Sequence, residues 1–160
     1  MKKLLIDLEK CYQCKQCSAT CDYYFHPDNK GQIRCIALSV QEHVCRQCED
    51  APCIKSCTRE ALERRDDGML NRYSMLCTSC KTCSAACPFG VIFPEIIDYK
   101  TSQCDLCFDR ANDDNPPICV KTCEKNALQW VEVEENISKN IHSVRSGKFF
   151  VHTVKWQKDK

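Results

Sequence analysis

Seventeen cysteines among 160 residues are the leading chemical fact of this sequence. Sixteen fall into four groups: Cys11, Cys14, Cys17 and Cys21; Cys45, Cys48, Cys53 and Cys57; Cys77, Cys80, Cys83 and Cys87; Cys104, Cys107, Cys119 and Cys123. Cys35 is left over. Groups one and three read C-x2-C-x2-C-x3-C, group two C-x2-C-x4-C-x3-C and group four C-x2-C-x11-C-x3-C, so every group closes on C-x3-C. Pro88 follows Cys87 and completes C-x2-C-x2-C-x3-C-P, the run in which three thiolates hold one [4Fe–4S] cube and the fourth ligates its neighbour.

Two intervening residues let the backbone curl around a cube with each sulfur pointing inward, and one such loop covers three corners. The fourth corner needs a distant cysteine. The last thiol of each group, three residues on, points away toward a second cube, so the groups work in reciprocal pairs and sixteen thiolates supply four cubes. Rival chemistries fit less well. A disulfide scaffold requires export, tetrahedral zinc wants C-x2-C knuckles set apart by a longer spacer, and the C-x3-C-x2-C triplet of radical S-adenosylmethionine chemistry does not occur.

The rest of the composition agrees. Leu, Ile, Val and Phe together make up about a fifth of the chain, which excludes a large oily core. A chain of this length makes one domain or two very small ones, and domains that small need metals, disulfides or partners. The longest apolar runs, Leu4 to Leu8 and Val91 to Ile97, are short and broken by Asp7, Pro94 and Glu95, so no membrane span is expected. Two lysines and three apolar residues before Asp7 are too little for a signal-peptide core, and Arg64-Arg65 is internal; a cytoplasmic location follows as the expectation. Formal net charge is +1, and four oxidised cubes with their thiolates would bring it to about −7. Residues 136–160 carry +5 against −4 for residues 1–135, so the tail differs in kind from the body.

Positioning these groups requires short elements. Lys3–Leu8 is predicted as a strand, and Ile33–Leu38 as a second one after a turn at Asp28–Gly31. A short helix is predicted to finish over Arg59–Leu62, and a hairpin over Leu62–Met75 turns on Asp67-Gly68. Phe89–Ile97 reads as a strand bent at Pro94, and Ala127–Val133 as a closing strand. In the tail, Ile137, Ile141 and Val144 have helical spacing, and Phe149–Trp156 alternates as a strand with Phe150, Val154 and Trp156 on one face. The sum is an α+β fold with the β-α-β rhythm of small ferredoxins, run twice. Cys35 is expected as a small buried residue on a strand, not a ligand. His26, His43, His142 and His152 lack metal-motif spacing. The four glycines form no G-x-G-x-x-G cradle, so neither a nucleotide site nor a substrate site is apparent.

The segment Cys104-Asp105-Leu106-Cys107-Phe108-Asp109-Arg110, the run Pro117-Ile118-Cys119-Val120 and the four groups between Lys2 and Glu135 resemble a known family. It is that of the four-cluster electron-transfer subunits of molybdenum and tungsten oxidoreductases and related hydrogenase complexes, as in the iron–sulfur subunits of dimethyl sulfoxide reductase, formate dehydrogenase and formate hydrogenlyase. The resemblance implies two bacterial ferredoxin-like (βαβ-βαβ) lobes, one inserted in the other: residues 1–40 with 100–135, and residues 41–99. It implies four ligand sets: Cys11, Cys14, Cys17 with Cys123; Cys104, Cys107, Cys119 with Cys21; Cys45, Cys48, Cys53 with Cys87; and Cys77, Cys80, Cys83 with Cys57. The charge and apolar pattern of residues 136–160, apart from the resemblance, suggest a basic tail that docks on a partner subunit or a neighbouring copy, the alternative being a tail folded back on its own lobe. Only Pro88 keeps the family's proline after the last cysteine; Thr58 and Glu124 stand at the matching places. The implied function is a non-catalytic subunit of an anaerobic complex. It would relay single electrons between a large catalytic partner, a tungsten- or molybdenum-pterin enzyme, and a second redox partner such as a ferredoxin or a flavin subunit, with no part for nucleic acid. A free diffusible polyferredoxin, or a subunit of a hydrogenase or carbon monoxide dehydrogenase, is the alternative.

Overall fold

The computed structural model describes residues 1–94 and 102–154. The chain divides into two compact units, Met1–Ile36 with the described part of Gln103–Gln157, and Ala37–Ser102. The architecture is α+β, a small mixed sheet with few and short helices.

In the first unit the alternation of Lys3–Asp7 produces strand β1, whose even positions Leu4 and Ile6 are buried. Asp7 ends the strand and caps helix α1 (Leu8–Cys11) by accepting from the Lys10 amide at 3.1 Å. Helix α2 spans Gly31–His43. Beyond it lie helix α3 (Pro52–Lys55), strands β2 (Leu62–Arg64) and β3 (Leu70–Arg72), and helix α4 (Thr82–Ala86). Helix α5 (Ile118–Lys121), β4 (Leu128–Val131), a 3-10 turn (Ile137–Lys139), β5 (Ile141–Val144) and β6 (Phe149–His152) complete the chain. The first unit's sheet has the order β4-β1-β6-β5. β1 runs antiparallel to β4, Ile6 facing Leu128, and parallel to β6, Ile6 facing Val151. Ile6, Leu8, Val144 and Val151 are fully buried there, a small apolar centre.

The second unit holds the antiparallel hairpin β2–β3, turning at Gly68, whose φ of +80° suits glycine. Its short helices α3 and α4 pack on each other.

The expected strands at the chain start, around Asp67-Gly68 and before Val133 are present. Four expectations are corrected. Ile33–Leu38 belongs to helix α2 rather than to a strand: Ile33, Ile36, Ala37, Val40 and Val44 recur at i, i+3, i+4, i+7 and i+11, and this period decides over the β-branched composition. Arg59–Leu62 is not helical. The helix sits earlier, where Pro52 occupies the first turn of α3, and Leu62 opens β2. The helical spacing of Ile137, Ile141 and Val144 is not used: Asn140 adopts φ +55°, which ends the 3-10 turn and starts β5. The described part of the tail thus forms the β5–β6 hairpin of the first unit's sheet, and the Val154 amide donates to Glu9 at 2.9 Å. Phe89–Pro94, the described part of the predicted bent strand, forms no strand, and Glu95 to Ile97, with Trp156, lie outside the described residues. Among the described residues no helix is long and apolar enough to cross a membrane.

Candidate metal centres

The cysteine loops share a backbone device. In groups two, three and four the residue before the second cysteine is left-handed: Gln47 (φ +51°), Ser79 (+57°) and Leu106 (+58°). None is glycine, and each strained turn curls its C-x2-C so that successive backbone N–H groups face one side. The Leu106 amide points at the Cys104 sulfur, 3.4 Å away. A second device follows the last cysteine of groups two, three and four. Glu60, Gly90 and Asn126, each three residues on, are left-handed and donate their amides to the carbonyls of Cys57, Cys87 and Cys123 at 3.1, 3.3 and 3.0 Å.

Groups one and four meet in the first unit. Ser18 donates to the Thr122 carbonyl at 3.2 Å and accepts from the Glu124 amide at 3.2 Å, while the Thr20 amide donates to Thr122 Oγ1 at 3.0 Å; these bonds bind the first cysteine loop around Cys123. The Cys11 thiol is pushed up to about 12, first by burial and then by repulsion from Cys123, Cys14, Cys17 and Asp7. Its three sulfur neighbours are the other members of the set the resemblance implied. Cys119, on α5, is likewise pushed up to about 12 by burial and then by Cys104, Cys107 and Cys21. Cys107 rises to about 11 through burial, which outweighs the nearby Arg110 cation.

Cys21 accepts a hydrogen bond from Asn29 Nδ2 at 3.3 Å. Cys35 lies on α2, 1 % exposed, and its thiol bonds Cys104. That bond, the largest influence on both thiols, lowers Cys104 and raises Cys35, so the proton rests on Cys35 and Cys104 accepts.

Groups two and three meet in the second unit. Cys57, Cys77, Cys80 and Cys83 line one cavity together with Ala61, Leu62 and Arg72. Nitrogen and oxygen donors aim at these sulfurs: the Ala61 amide at Cys57 (3.3 Å), Arg72 Nη1 at Cys77 (3.5 Å) and Thr82 Oγ1 at Cys80 (3.3 Å). The Thr82 hydroxyl lowers the exposed Cys80 thiol. Cys83 is raised by burial and by the charges of Cys57 and Cys77. Burial raises Cys53 too, with Cys87 and Cys45 as its sulfur neighbours. Cys48 shares their loop, its carbonyl accepting from the Ala51 amide at 3.1 Å.

Among the described residues no three His, Cys, Asp or Glu side chains gather as they do around a single metal ion. Cys57, Cys77, Cys80 and Cys83 share a cavity, and thiols of the other sets bear on one another through charge. All-sulfur donors, several of them hydrogen-bonded at sulfur, fit iron–sulfur clusters, whose potentials answer to those same bonds. Asn29, Arg72, Thr82 and the donor role of Cys35 carry no spacing signature and are legible only here. Arg110, three residues past Cys107, lies within the motif quoted above, and its place there is the signal that could have marked it.

Comparison with known proteins gives the same chemistry. Residues 36–133 match the family described as a 4Fe-4S dicluster domain. The chain is 32 % identical over 152 residues to the putative electron transport protein YsaA of Escherichia coli, covering 82 % of this chain and 90 % of that one. It is 28 % identical over 151 residues to a subunit of the anaerobic dimethyl sulfoxide reductase of the same organism, covering 81 % and 73 %. An uncharacterized ferredoxin of Methanocaldococcus jannaschii is 34 % identical over 142 residues, covering 86 % and 76 %.

Proposed function

The chain belongs to the 4Fe-4S dicluster domain family, and we propose that it is the electron-transfer subunit of an oxidoreductase complex, carrying four [4Fe–4S] clusters. The observation that carries this reading is the company kept by Cys119: its sulfur neighbours are Cys104 and Cys107 of its own group and Cys21 of the first. That is the reciprocity the spacing calls for. In this reading Cys11, Cys14, Cys17 and Cys123 hold one cluster, and Cys21, Cys104, Cys107 and Cys119 a second. Cys45, Cys48, Cys53 and Cys87 hold a third, and Cys57, Cys77, Cys80 and Cys83 a fourth. In this reading the chain has two ferredoxin-like lobes, one inserted in the other along the sequence, and the division into two compact units supports it.

When bound, the clusters supply one-electron redox chemistry over a wide span of potentials. The chain supplies deprotonated sulfur at fixed corners and the donors at Cys21, Cys57, Cys77, Cys80, Cys104 and Cys107 that stabilise negative charge on sulfur. The catalytic partner is a large subunit, a tungsten- or molybdenum-pterin enzyme, in the cytoplasm. The likeness to the dimethyl sulfoxide reductase subunit supports that class. Lys139 on the 3-10 turn, and Arg145 and Lys148 on the tail hairpin, are exposed and offer positive charge to such a partner.

The test is anaerobic affinity capture of the tagged chain from its native cells, followed by iron, sulfide, molybdenum and tungsten analysis. Sixteen irons per chain and a large Mo- or W-bearing polypeptide are expected. Zinc in place of iron defeats the reading. The likeness to a ferredoxin favours a second one, a diffusible carrier, which predicts sixteen irons and no co-purifying subunit.

A further inference from the structure

Arg110 draws together the segment that follows Cys21 and the loop that bears the thiols of Cys104 and Cys107. Its Nη2 donates to both oxygens of Asp105 at 3.2 and 2.9 Å and reaches the Cys107 sulfur at 3.6 Å. Nη1 donates to Asp109 at 3.0 Å, and Nε lies 3.6 Å from the carboxylate of Asp22, the residue after Cys21. The guanidinium also sits over the rings of Tyr23 and Tyr24, 5.9 and 5.4 Å from their centroids. Only 13 % of the side chain is exposed. Three carboxylates and two aromatic faces therefore hold one always-charged cation against one sulfur.

We propose that Arg110 is a positioning residue that sets the reduction potential of the cluster bound by Cys21, Cys104, Cys107 and Cys119. This rests on the electron-transfer reading above. Reduction adds one negative charge to the cluster and its thiolates, and a fixed cation with an N–H aimed at sulfur stabilises the reduced form more than the oxidised one. Asp22, Asp105 and Asp109 taken alone would act in the opposite direction, and Arg110 offsets them. A mere brace for the loops would need the hydrogen bonds only; a potential-setting residue needs the charge.

The experiment is a redox titration of the anaerobic holoprotein, followed by electron paramagnetic resonance, with iron counted in every sample. In Arg110→Gln the one-electron equilibrium of a single cluster shifts about tenfold toward the oxidised form, about 59 mV downward, while the other clusters and the iron count stay put. Arg110→Lys recovers most of the shift. Asp105→Asn, which keeps the guanidinium and removes a negative charge, moves the same cluster the other way. Unchanged potentials in Arg110→Gln with full iron overturn the inference, as does iron loss in that variant together with an unmoved potential in Asp105→Asn. A wild-type chain with no reducible cluster defeats the electron-transfer reading itself, and is told apart from those outcomes before any variant is compared.

Discussion

Asn29 donates its Nδ2–H to the sulfur of Cys21 at 3.3 Å. The same amide nitrogen reaches the Gln103 carbonyl at 2.8 Å, and the Gln103 amide returns a bond to Asn29 Oδ1 at 2.9 Å. The buried Asn29 side chain thus ties Cys21, at the end of the first cysteine group, to Gln103, which precedes the fourth group and lies 74 residues from Asn29 along the chain. Gly31 lets the two backbones approach this closely, since a Cβ there would lie 2.8 Å from the Gln103 carbonyl oxygen.

Asn29→Ala removes these bonds to the Gln103 backbone, a loss of about 0.5–1.5 kcal/mol for each. The thermal midpoint of the anaerobic holoprotein falls by about 2–4 °C for each kcal/mol. Gly31→Ala lowers it as well, by displacing backbone rather than by removing any thiol. Midpoints equal to wild type would refute this junction's role.

Cluster assembly on the metal-free chain speeds up as pH rises. The thiols of Cys11 and Cys119 are lifted from an ordinary 9.0 to about 12, so at neutral pH they are protonated, and each must lose its proton to ligate iron. The sign follows: uptake is slow well below these values and quickens as pH climbs toward them, with protons released. Iron uptake followed by visible absorbance at about pH 7 and about pH 10 checks it, on either side of the ordinary thiol value, and a rate independent of pH contradicts it.

Cys35→Ala retains all the iron that the wild-type chain binds, because Cys35 holds its own proton and acts as a donor to Cys104. What changes is Cys104: without that donor its thiolate is less stabilised, and the metal-free chain alkylates more slowly there at about pH 8. Peptide mass spectrometry after a short iodoacetamide pulse reads the change. Loss of four irons in Cys35→Ala would instead make this residue a ligand.

Val151→Asp places an unpaired charge at a fully buried position of the inner strand β6, against Ile6 of β1, and destabilises by about 3–5 kcal/mol. Soluble yield and iron content both collapse. Lys148→Glu, exposed on the same hairpin, stays within about 0.5 kcal/mol of wild type. A soluble, iron-replete Val151→Asp would mean that the hairpin is not built into the first unit's sheet.

The ligand chemistry is legible because sulfur spacing is a local property: how far a loop can curl around a cube is fixed by the two or three residues between its thiols. The alternation of Lys3–Asp7 and the Asp67-Gly68 turn are local in the same way, and both elements stand where the residues place them. Ile33–Leu38 misleads because strand-favouring residue types and a helical period coexist there, and burial of one face decides for the helix.

The sequence by itself determined that sixteen cysteines form four groups and that the chain lacks an oily core of ordinary size. Tertiary structure decided which thiols keep company, where the left-handed Gln47, Ser79 and Leu106 turn the loops, and which donors face sulfur: Asn29, Arg72, Thr82, Arg110 and the spare Cys35. It also decided that the tail pairs with β1. Such contacts join residues tens of positions apart, and a hydrogen bond or a repulsion between charges depends on distance in space, which no spacing along the chain encodes.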